Sequence, residues 1–153
     1  MIRGVHHVAI STPHLEPMLA FYRDLIGFEQ LGLVEWPVGT AQIDAVMGLK
    51  DSSARQVMLK LGNLCLEMFE FKTPEPVAMD PQRPVCNHGH THLCLDVTDI
   101  QSVYERLVAA GTRFHAPPQE FGNVRATYGR DPDGNVFEIQ ELLDRDDPAQ
   151  VIS

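Results

Sequence analysis

Two histidines and two glutamates stand at matching positions in the two halves of the chain. His92 follows His7 by 85 residues, in stretches that read GHTHLCL and GVHHVAI, and Glu138 follows Glu67 by 71 residues, in NVFEIQE and LCLEMFE. Imidazole nitrogens and carboxylate oxygens are common ligands of divalent transition metals. An unused polar pair has no reason to recur in register, so the repeat points to a shared metal site.

The neighbours of these residues predict which way the side chains face. Successive side chains of a strand point to opposite faces, and apolar residues flank both glutamates: Leu66 and Met68 beside Glu67, and Phe137 and Ile139 beside Glu138. The apolar set is expected to pack under helices, which leaves the glutamates on the other face with the histidines. Two desolvated carboxylates repel each other unless a cation compensates them. We therefore predict a site with four ligands, which are His7, Glu67, His92 and Glu138.

Each half predicts the same order of elements, β-α-β-β-β. Period-two stretches indicate strands, and apolar residues at helical spacing before a glycine indicate helices. In the first half we predict strands at 5–10, 28–34, 57–61 and 64–71, a helix at 15–26 and a short helix between 36 and 55. In the second half we predict strands at 91–97, 112–115, 124–129 and 135–142 and a helix at 100–110.

The repeat divides the chain into modules. The first module is expected at 1–72 and the second at 87–143, joined by a linker at 73–86 that contains four prolines and reads as extended. An acidic tail follows at 144–153.

Composition narrows the classes of function. The chain has 153 residues, a net charge of -9 and a pI of about 5.1, which disfavours binding to nucleic acid or to an anionic membrane. Three cysteines without a C-x-x-C pair predict neither a disulfide framework nor a cysteine-only zinc site. The N-terminus has no uninterrupted apolar run of the kind found in signal peptides. We expect a cytoplasmic protein.

Several residues are predicted to surround the metal site. Arg125 and Tyr128 precede the strand of Glu138 and are candidates to hold a substrate oxygen. The candidate apolar walls are Trp36, Phe69, Phe71 and Phe121. A rival zinc site lies within 86–94, where Cys and His alternate, but consecutive ligands on one strand rarely close a tetrahedron.

Five motifs together resemble the vicinal oxygen chelate superfamily, which includes glyoxalase I, methylmalonyl-CoA epimerase, extradiol dioxygenases and bleomycin-binding proteins. They read HHVAIST, LAFYRDLIGFE, LCLEMFE, GHTHLCLDVTDI and DPDGNVFEIQE. The resemblance implies an α+β fold in which two β-α-β-β-β modules form a U-shaped mixed sheet around a metal. It also implies that the four predicted ligands fall on the ligand positions of the glyoxalase and epimerase branch.

The reaction follows from this resemblance as an expectation. One divalent ion, Ni, Co, Zn or Mn, is expected to bind two neighbouring oxygens of a small substrate and to stabilise an enediolate. Glu138 is expected to act as the base, with Glu67 as its counterpart. Modules of this superfamily pair either within one chain or across a dimer, and both arrangements can use the same ligands. Of the two oligomeric states, we expect a homodimer.

Two other functions stay open. An Fe(II) extradiol-type dioxygenase uses two histidines and one carboxylate, and a fourth ligand, Glu67, argues against it. A non-catalytic protein that binds a drug or another ligand has no need of all four ligand types. The substrate also stays open, because DPDGN replaces the loop expected of CoA epimerases and no glutathione-binding set is evident.

Overall fold

The chain forms two compact units, each built around its own sheet. The computed structural model describes residues 1–151, so residues 152 and 153 of the predicted acidic tail lie outside the described residues. The first unit is Met1–Ala78, and the second begins at Met79. Helices and mixed sheets occur in both units, so the predicted α+β class is confirmed. No helix within residues 1–151 has the length and apolar character needed to span a membrane.

The first unit contains a four-stranded sheet. The elements in chain order are β1 His7–Ser11, α1 Leu15–Leu19 with a π-helical continuation Ala20–Ile26, β2 Glu29–Trp36, α2 Ala41–Met47, β3 Ser53–Leu61 and β4 Leu64–Thr73. The strand order is β1-β4-β3-β2, with β1 parallel to β4 and the other pairs antiparallel. Gly62-Asn63 forms the turn between β3 and β4, flanked by the paired residues Leu61 and Leu64.

The second unit has the β-α-β-β-β order with one additional strand. The elements are β5 His92–Asp96, α3 Ile100–Ala109, β6 Arg113–Phe114, β7 Gln119–Phe121, β8 Val124–Arg130 and β9 Val136–Leu142. The sheet has the order β5-β9-β8-β6, and β7 also pairs with β8. Strand β7 was not predicted, because its three residues directly follow Pro117-Pro118 and are too few to show an alternating pattern.

The first predicted helix forms, but its second half is π-helical. The N–H of Gly27 donates to the carbonyl of Tyr22 at 3.1 Å, which is the i to i+5 spacing of a π-helix. Gly27 has a φ of +108°, which ends the helix. Leu15, Met18 and Tyr22 are fully buried beneath it.

A glutamate from the last strand of each unit holds the start of that unit's first helix. The N–H of Leu15 donates to Glu70 Oε2 at 2.8 Å, and the N–H groups of Asp99 and Ile100 donate to Glu141 at 2.8 and 3.3 Å. The first N–H groups of a helix have no partner within the helix, and a carboxylate there also interacts favourably with the helix dipole. The repeated glutamates therefore fix each helix on its sheet.

The turn before β9 is held by buried polar contacts. The buried Asp131 accepts the N–H groups of Asp133 and Asn135 at 3.0 and 2.8 Å. Gly134 has a φ of +90°, and a Cβ there would lie 2.5 Å from the carbonyl oxygen of Pro81. Only glycine fits this position, because Pro81 of the 73–86 segment packs directly against the turn.

We predict that Glu141→Ala lowers the free energy of unfolding by about 1–3 kcal/mol, the usual effect of removing a charged hydrogen-bond partner. Urea unfolding monitored by circular dichroism measures this difference. Glu105→Ala is the matched control, because Glu105 is exposed on α3 itself and holds no backbone N–H. Equal stability of the two variants would show that Glu141 does not cap the helix.

Candidate metal centre and adjoining cavity

Parallel pairing of β1 with β4 places His7 beside Glu67. In this register Ala9 is opposite Glu67 and His7 is opposite Cys65. His7 therefore lies on the same face of the sheet as Glu67, two residues away in the register. His7 Nε2 is 3.3 Å from Glu67 Oε2. Leu66 and Met68 are fully buried on the other face, as the alternation predicts.

Parallel pairing of β5 with β9 repeats this arrangement in the second unit. Cys94 is opposite Glu138, and His92 Nε2 is 3.0 Å from Glu138 Oε2. Phe137 and Ile139 are fully buried on the opposite face. The same atoms of the same residue types thus meet in both units.

The residue before each histidine contacts the other nitrogen of the ring. His6 Nδ1 lies 2.9 Å from His7 Nδ1, and Thr91 Oγ1 lies 2.8 Å from His92 Nδ1. A partner at Nδ1 fixes the orientation of an imidazole and leaves Nε2 as the atom for a ligand role. A threonine hydroxyl suits this position because it both donates and accepts.

The two pairs fit the coordination chemistry of a divalent metal. A nitrogen and an oxygen that each bind an ion at 2.0–2.2 Å lie about 3.0 Å apart at a right angle and about 3.4 Å apart at a tetrahedral angle. The observed separations of 3.3 and 3.0 Å fall in this range. No group of three or more His, Cys, Asp or Glu side chains is placed to hold a metal ion among residues 1–151. The four predicted ligands are thus observed as two pairs, one in each unit.

The surroundings of the two glutamates differ. In the first unit, Gln56 Nε2 donates to Glu67 Oε1 at 3.0 Å, so both oxygens of this carboxylate have close contacts. In the second unit, the position equivalent to Gln56 is Ala126, because Ala126 pairs with Gln140 as Gln56 pairs with Phe69. Alanine has no side-chain amide to donate to Glu138. Gln56 was missed in the sequence analysis, because only the register of β3 against β4 places it near Glu67.

Cys94 and Tyr128 are the neighbours of Glu138. Cys94 is exposed as a residue, but partial burial of its thiol, the negative charge of Glu138 and a hydrogen bond to that carboxylate raise the pKa of the thiol to about 12. Burial raises the pKa of Tyr128, and Glu138 adds to this effect. The Tyr128 ring lies against the His92 ring, with centroids 4.8 Å apart. Both side chains therefore stay neutral at physiological pH beside the carboxylate.

A cavity of about 220 Å³ adjoins Glu138 within the second unit. Glu138 and Tyr128 contribute to its lining, and the segment 115–121 supplies His115, Gln119 and Phe121. Tyr128 was predicted to contact substrate, and it lines this cavity. His115 and Gln119 were not predicted, because they belong to the short loop and strand that no sequence pattern marked.

Three of the four aromatic residues predicted as walls, Trp36, Phe69 and Phe71, lie in the first unit, and the fourth, Phe121, lines the cavity of the second. Trp36 is buried and contacts the rings of Phe69 and Phe71, with centroids 6.1 Å apart in both cases. Its Nε1–H donates to Ser52 Oγ at 3.0 Å. The hydroxyl of Ser52 in turn donates to the carboxylate of Asp44.

Arg125 lies on the face of its sheet opposite to the face that carries Glu138. Its guanidinium pairs with Glu120 at 2.7 Å and approaches Glu141, the helix-capping residue, at 3.9 Å. Arg55 stands in the same relation to Glu70 in the first unit, at 3.6 Å. The prediction that Arg125 binds substrate gains no support from this placement.

The rival zinc site depends on a strand that does not form. Regular strand begins at His92, and the chain before it is irregular. The Arg83 guanidinium donates to the carbonyls of Asn87, His88 and His90. Alternate residues of 86–90 therefore do not share one face of a strand.

The fold and the paired sites define an α+β protein built from two similar units, each carrying a His-Glu pair. The profile of the Glyoxalase/Bleomycin resistance protein/Dioxygenase superfamily matches residues 4–139. The chain belongs to this superfamily, as the resemblance of its motifs indicated.

Similar proteins include epimerases. The chain is 31% identical to a 2-epi-5-epi-valiolone epimerase of an Actinomyces species over 76% of its own length and 64% of that protein. It is 27% identical to the mitochondrial methylmalonyl-CoA epimerase of Mus musculus, over 64% of its length and 48% of that protein. It therefore spans less than two thirds of either relative. A glyoxalase family protein from Bacillus cereus shares the fold, with a TM-score of 0.85, 22% identity and coverage of 94% and 97% of the two chains.

We predict that Asp44→Asn lowers the stability of the protein at pH 7 and that this difference disappears in acid. Hydrogen bonds from the Ser52 hydroxyl, the Ser52 N–H and the Asp51 N–H lower the pKa of Asp44 below its ordinary value. A lowered pKa in the folded state stabilises the protein above about pH 4, the value of a free aspartate, and this contribution is lost as the pH falls through the folded value.

Urea midpoints at pH 7 and pH 3, read from the fluorescence of Trp36, measure this effect. Asp51→Asn is the matched control, since it removes a charge from the same loop and keeps the backbone N–H donor. A constant difference between wild type and Asp44→Asn at both pH values would exclude the ionised Asp44 as its source.

Proposed function

We propose that the protein is a metal-dependent lyase or isomerase of the glyoxalase type. In this proposal His7 and Glu67 of the first unit and His92 and Glu138 of the second hold one divalent ion, and a small substrate binds through two neighbouring oxygens. The observation that supports it most is the His-Glu contact that recurs in both units, each with a partner at the histidine Nδ1.

The donor set suits Ni, Co, Zn or Mn, which accept imidazole and carboxylate together. When bound, such an ion acts as a Lewis acid that stabilises negative charge on the substrate oxygens, so that an adjacent C–H becomes acidic. Fe(II) is the ion expected if the protein is instead an extradiol-type dioxygenase.

Glu138 is the proposed base. Its carboxylate lines the cavity of the second unit, where a substrate carbon has access to it. Glu67, held by the Gln56 amide, is its counterpart on the opposite side. Glu138 takes the proton from the carbon next to a substrate carbonyl and returns it to a neighbouring carbon in an isomerisation, whereas in an epimerisation Glu67 delivers a proton to the other face of the same carbon. General bases of this kind contribute about 10²- to 10⁴-fold to the rate.

The names of the relatives agree with this chemistry. An epimerase inverts one carbon centre, and proton removal next to a carbonyl is one direct way to do so. Both relatives described above are epimerases. The step that the proposed reaction has in common with such an epimerisation is proton transfer next to a carbonyl.

The compartment and oligomeric state complete the proposal. Three cysteines without a disulfide partner support a reducing cytoplasm. We expect a homodimer, which sedimentation analysis measures directly.

We predict that Glu138→Ala lowers proton exchange by at least about 100-fold, because it removes the base. The metal-loaded protein is incubated in D₂O with a panel of hydroxyketones and acyl-CoA thioesters, and proton NMR records deuterium incorporation next to the carbonyl. Glu120→Ala is the matched control, since Glu120 is exposed and pairs with Arg125. Undiminished exchange in Glu138→Ala would remove Glu138 as the base, and no exchange by the wild type on any substrate would contradict the proposed function.

We predict that Thr91→Val lowers metal affinity by about 10- to 100-fold, the usual effect of losing the partner of a ligating histidine. Valine keeps the shape of threonine and removes only the hydroxyl next to His92 Nδ1. Thr91→Ser restores the hydroxyl and is expected to restore the affinity. Competition with a chelating dye measures both variants, and wild-type affinity in Thr91→Val would show that the hydroxyl does not support a metal ligand.

A further inference from the structure

The cavity beside Glu138 also carries information on the class of substrate. This inference rests on the proposed function and extends it. We propose that the substrate is a ketone or aldehyde with one compact apolar group, of the size of a phenyl ring or a branched alkyl chain. This group occupies the cavity, and the two neighbouring oxygens lie at the Glu138 end, where the proposed metal binds.

The wall of the cavity comes from a segment in which the second unit departs from the repeat. Segment 115–121 contains the additional strand β7, whereas the first unit has the helix α2 between its second and third strands. Phe121 of β7 is opposite Val124 of β8, and Tyr128 of β8 is opposite Glu138. Alternate residues of a strand share a face, so Val124 and Tyr128 lie on the same face. Strand β7 thereby adds Phe121 to the face of the sheet that carries the proposed base.

Polar groups of this wall are bound within the protein. Gln119 Nε2 donates to the carbonyls of Pro117 and Pro118 at 3.0 and 3.3 Å. The hydroxyl of Thr127 donates to the carbonyl of Ala116 at 2.5 Å. These bonds hold the wall in place without a ligand, and a wall that is already ordered adds no ordering cost to binding.

The side chains that remain to contact a ligand along this wall are mostly apolar. Phe121 is 60% exposed, so its ring offers apolar surface that a ligand can cover, and removal of such surface from water favours binding. A charged substituent would lose water here without gaining hydrogen bonds from the apolar side chains. The apolar residues that line the cavity are Ala116, Pro117, Phe121 and Ala126.

Polar side chains are grouped around the proposed base. Tyr128 and His115 line the same cavity as Glu138, and the rings of His115 and Tyr128 have centroids 6.3 Å apart. The Tyr128 ring also lies against the ring of His92. A phenol hydroxyl and an imidazole form hydrogen bonds with carbonyl and hydroxyl oxygens. The oxygen-bearing end of the substrate therefore fits beside these residues, and its apolar end fits beside Phe121.

The volume agrees with a compact group. The cavity holds about 220 Å³, and an apolar cavity of about 150 Å³ is enough to bind benzene. Sites that enclose whole drug-sized molecules hold roughly 300–1,000 Å³. The cavity thus has room for a phenyl ring and the carbon that carries it, but not for a second ring.

Three α-hydroxyketones test the inference, because they share the same two neighbouring oxygens and differ in the group next to the carbonyl. Hydroxyacetone carries a methyl group, 2-hydroxyacetophenone a phenyl group and 2-hydroxy-4′-phenylacetophenone a biphenyl group. Ligand-detected NMR titration measures their affinities for the full-length protein loaded with zinc. We expect the phenyl compound to bind at least about tenfold more tightly than the methyl compound, because of the apolar surface that it buries. The biphenyl compound is expected to bind more weakly than the phenyl compound.

Two results of this titration contradict the proposed ligand class. Equal affinity for the methyl and phenyl compounds, or no binding of the phenyl compound, would overturn the inference. Binding of the biphenyl compound as tightly as the phenyl compound would show that the group need not be compact, and would overturn it as well.

Variants of the wall locate the bound ring. Ala116→Phe fills the cavity and is expected to remove the preference for phenyl over methyl, whereas its matched control Ala109→Phe, on the exposed surface of α3, keeps it. Phe121→Ala removes apolar surface and is expected to weaken binding of the phenyl compound by about tenfold. Val108→Ala, also exposed on α3, is the matched control.

The two wall variants together decide where the ring binds. Loss of the preference in Ala116→Phe, or weaker phenyl binding in Phe121→Ala, with an unchanged circular dichroism spectrum would support binding in the cavity. Wild-type behaviour of both variants would place the ring elsewhere and overturn the inference.

Exchange measurements separate this inference from the proposed function. A preference for phenyl that depends on Phe121, without exchange of the protons next to the carbonyl in D₂O, would support the ligand class and contradict the proposed reaction. Exchange in hydroxyacetone without any preference for phenyl would support the reaction and contradict the ligand class.

Discussion

The pairing of the first strand of each unit with its last strand is the constraint on which the candidate site depends. Two strands and two helices separate β1 from β4 along the chain, and three strands and one helix separate β5 from β9, yet each pair is adjacent and parallel. This register places a histidine and a glutamate on the same face. A shift of one residue would turn Glu67 or Glu138 into the core and a buried apolar residue out of it, so burial of Leu66 and Phe137 maintains the polar pair.

The two units share this frame and differ in what surrounds the carboxylate. Glu67 is held by an amide from the neighbouring strand, whereas Glu138 has the neutral Cys94 and Tyr128 beside it and a cavity in front of it. The repeated part, an imidazole nitrogen beside a carboxylate oxygen, is suited to metal ligation. The divergent part leaves Glu138 open to the cavity, which is why Glu138 is the carboxylate proposed as the base.

Much of this arrangement was predictable from the sequence, because it depends on local patterns. Alternation along the strands identified the faces of Glu67 and Glu138, and apolar spacing with a terminal glycine identified the first helix. The π-helical turn before Gly27 was not predictable, since it preserves the same buried face. Neither were Gln56 and Gln119, because their roles depend on strand register and on a short loop. Glu70 and Glu141 end the matching stretches LCLEMFE and NVFEIQE. Their hydrogen bonds to the helix N-termini could not be predicted, because these bonds depend on how each helix packs on its sheet.

The central claim is that four side chains bind one divalent metal ion. Elemental analysis of the purified protein, as isolated and after incubation with divalent metals followed by desalting, tests it most directly. We expect about one equivalent of Ni, Co, Zn or Mn per chain, lost in the His7→Ala/His92→Ala variant and kept in His14→Ala, which removes another exposed histidine. Absence of bound metal under both conditions would contradict the claim and favour a binding protein, and iron retained only under anaerobic handling would favour a dioxygenase.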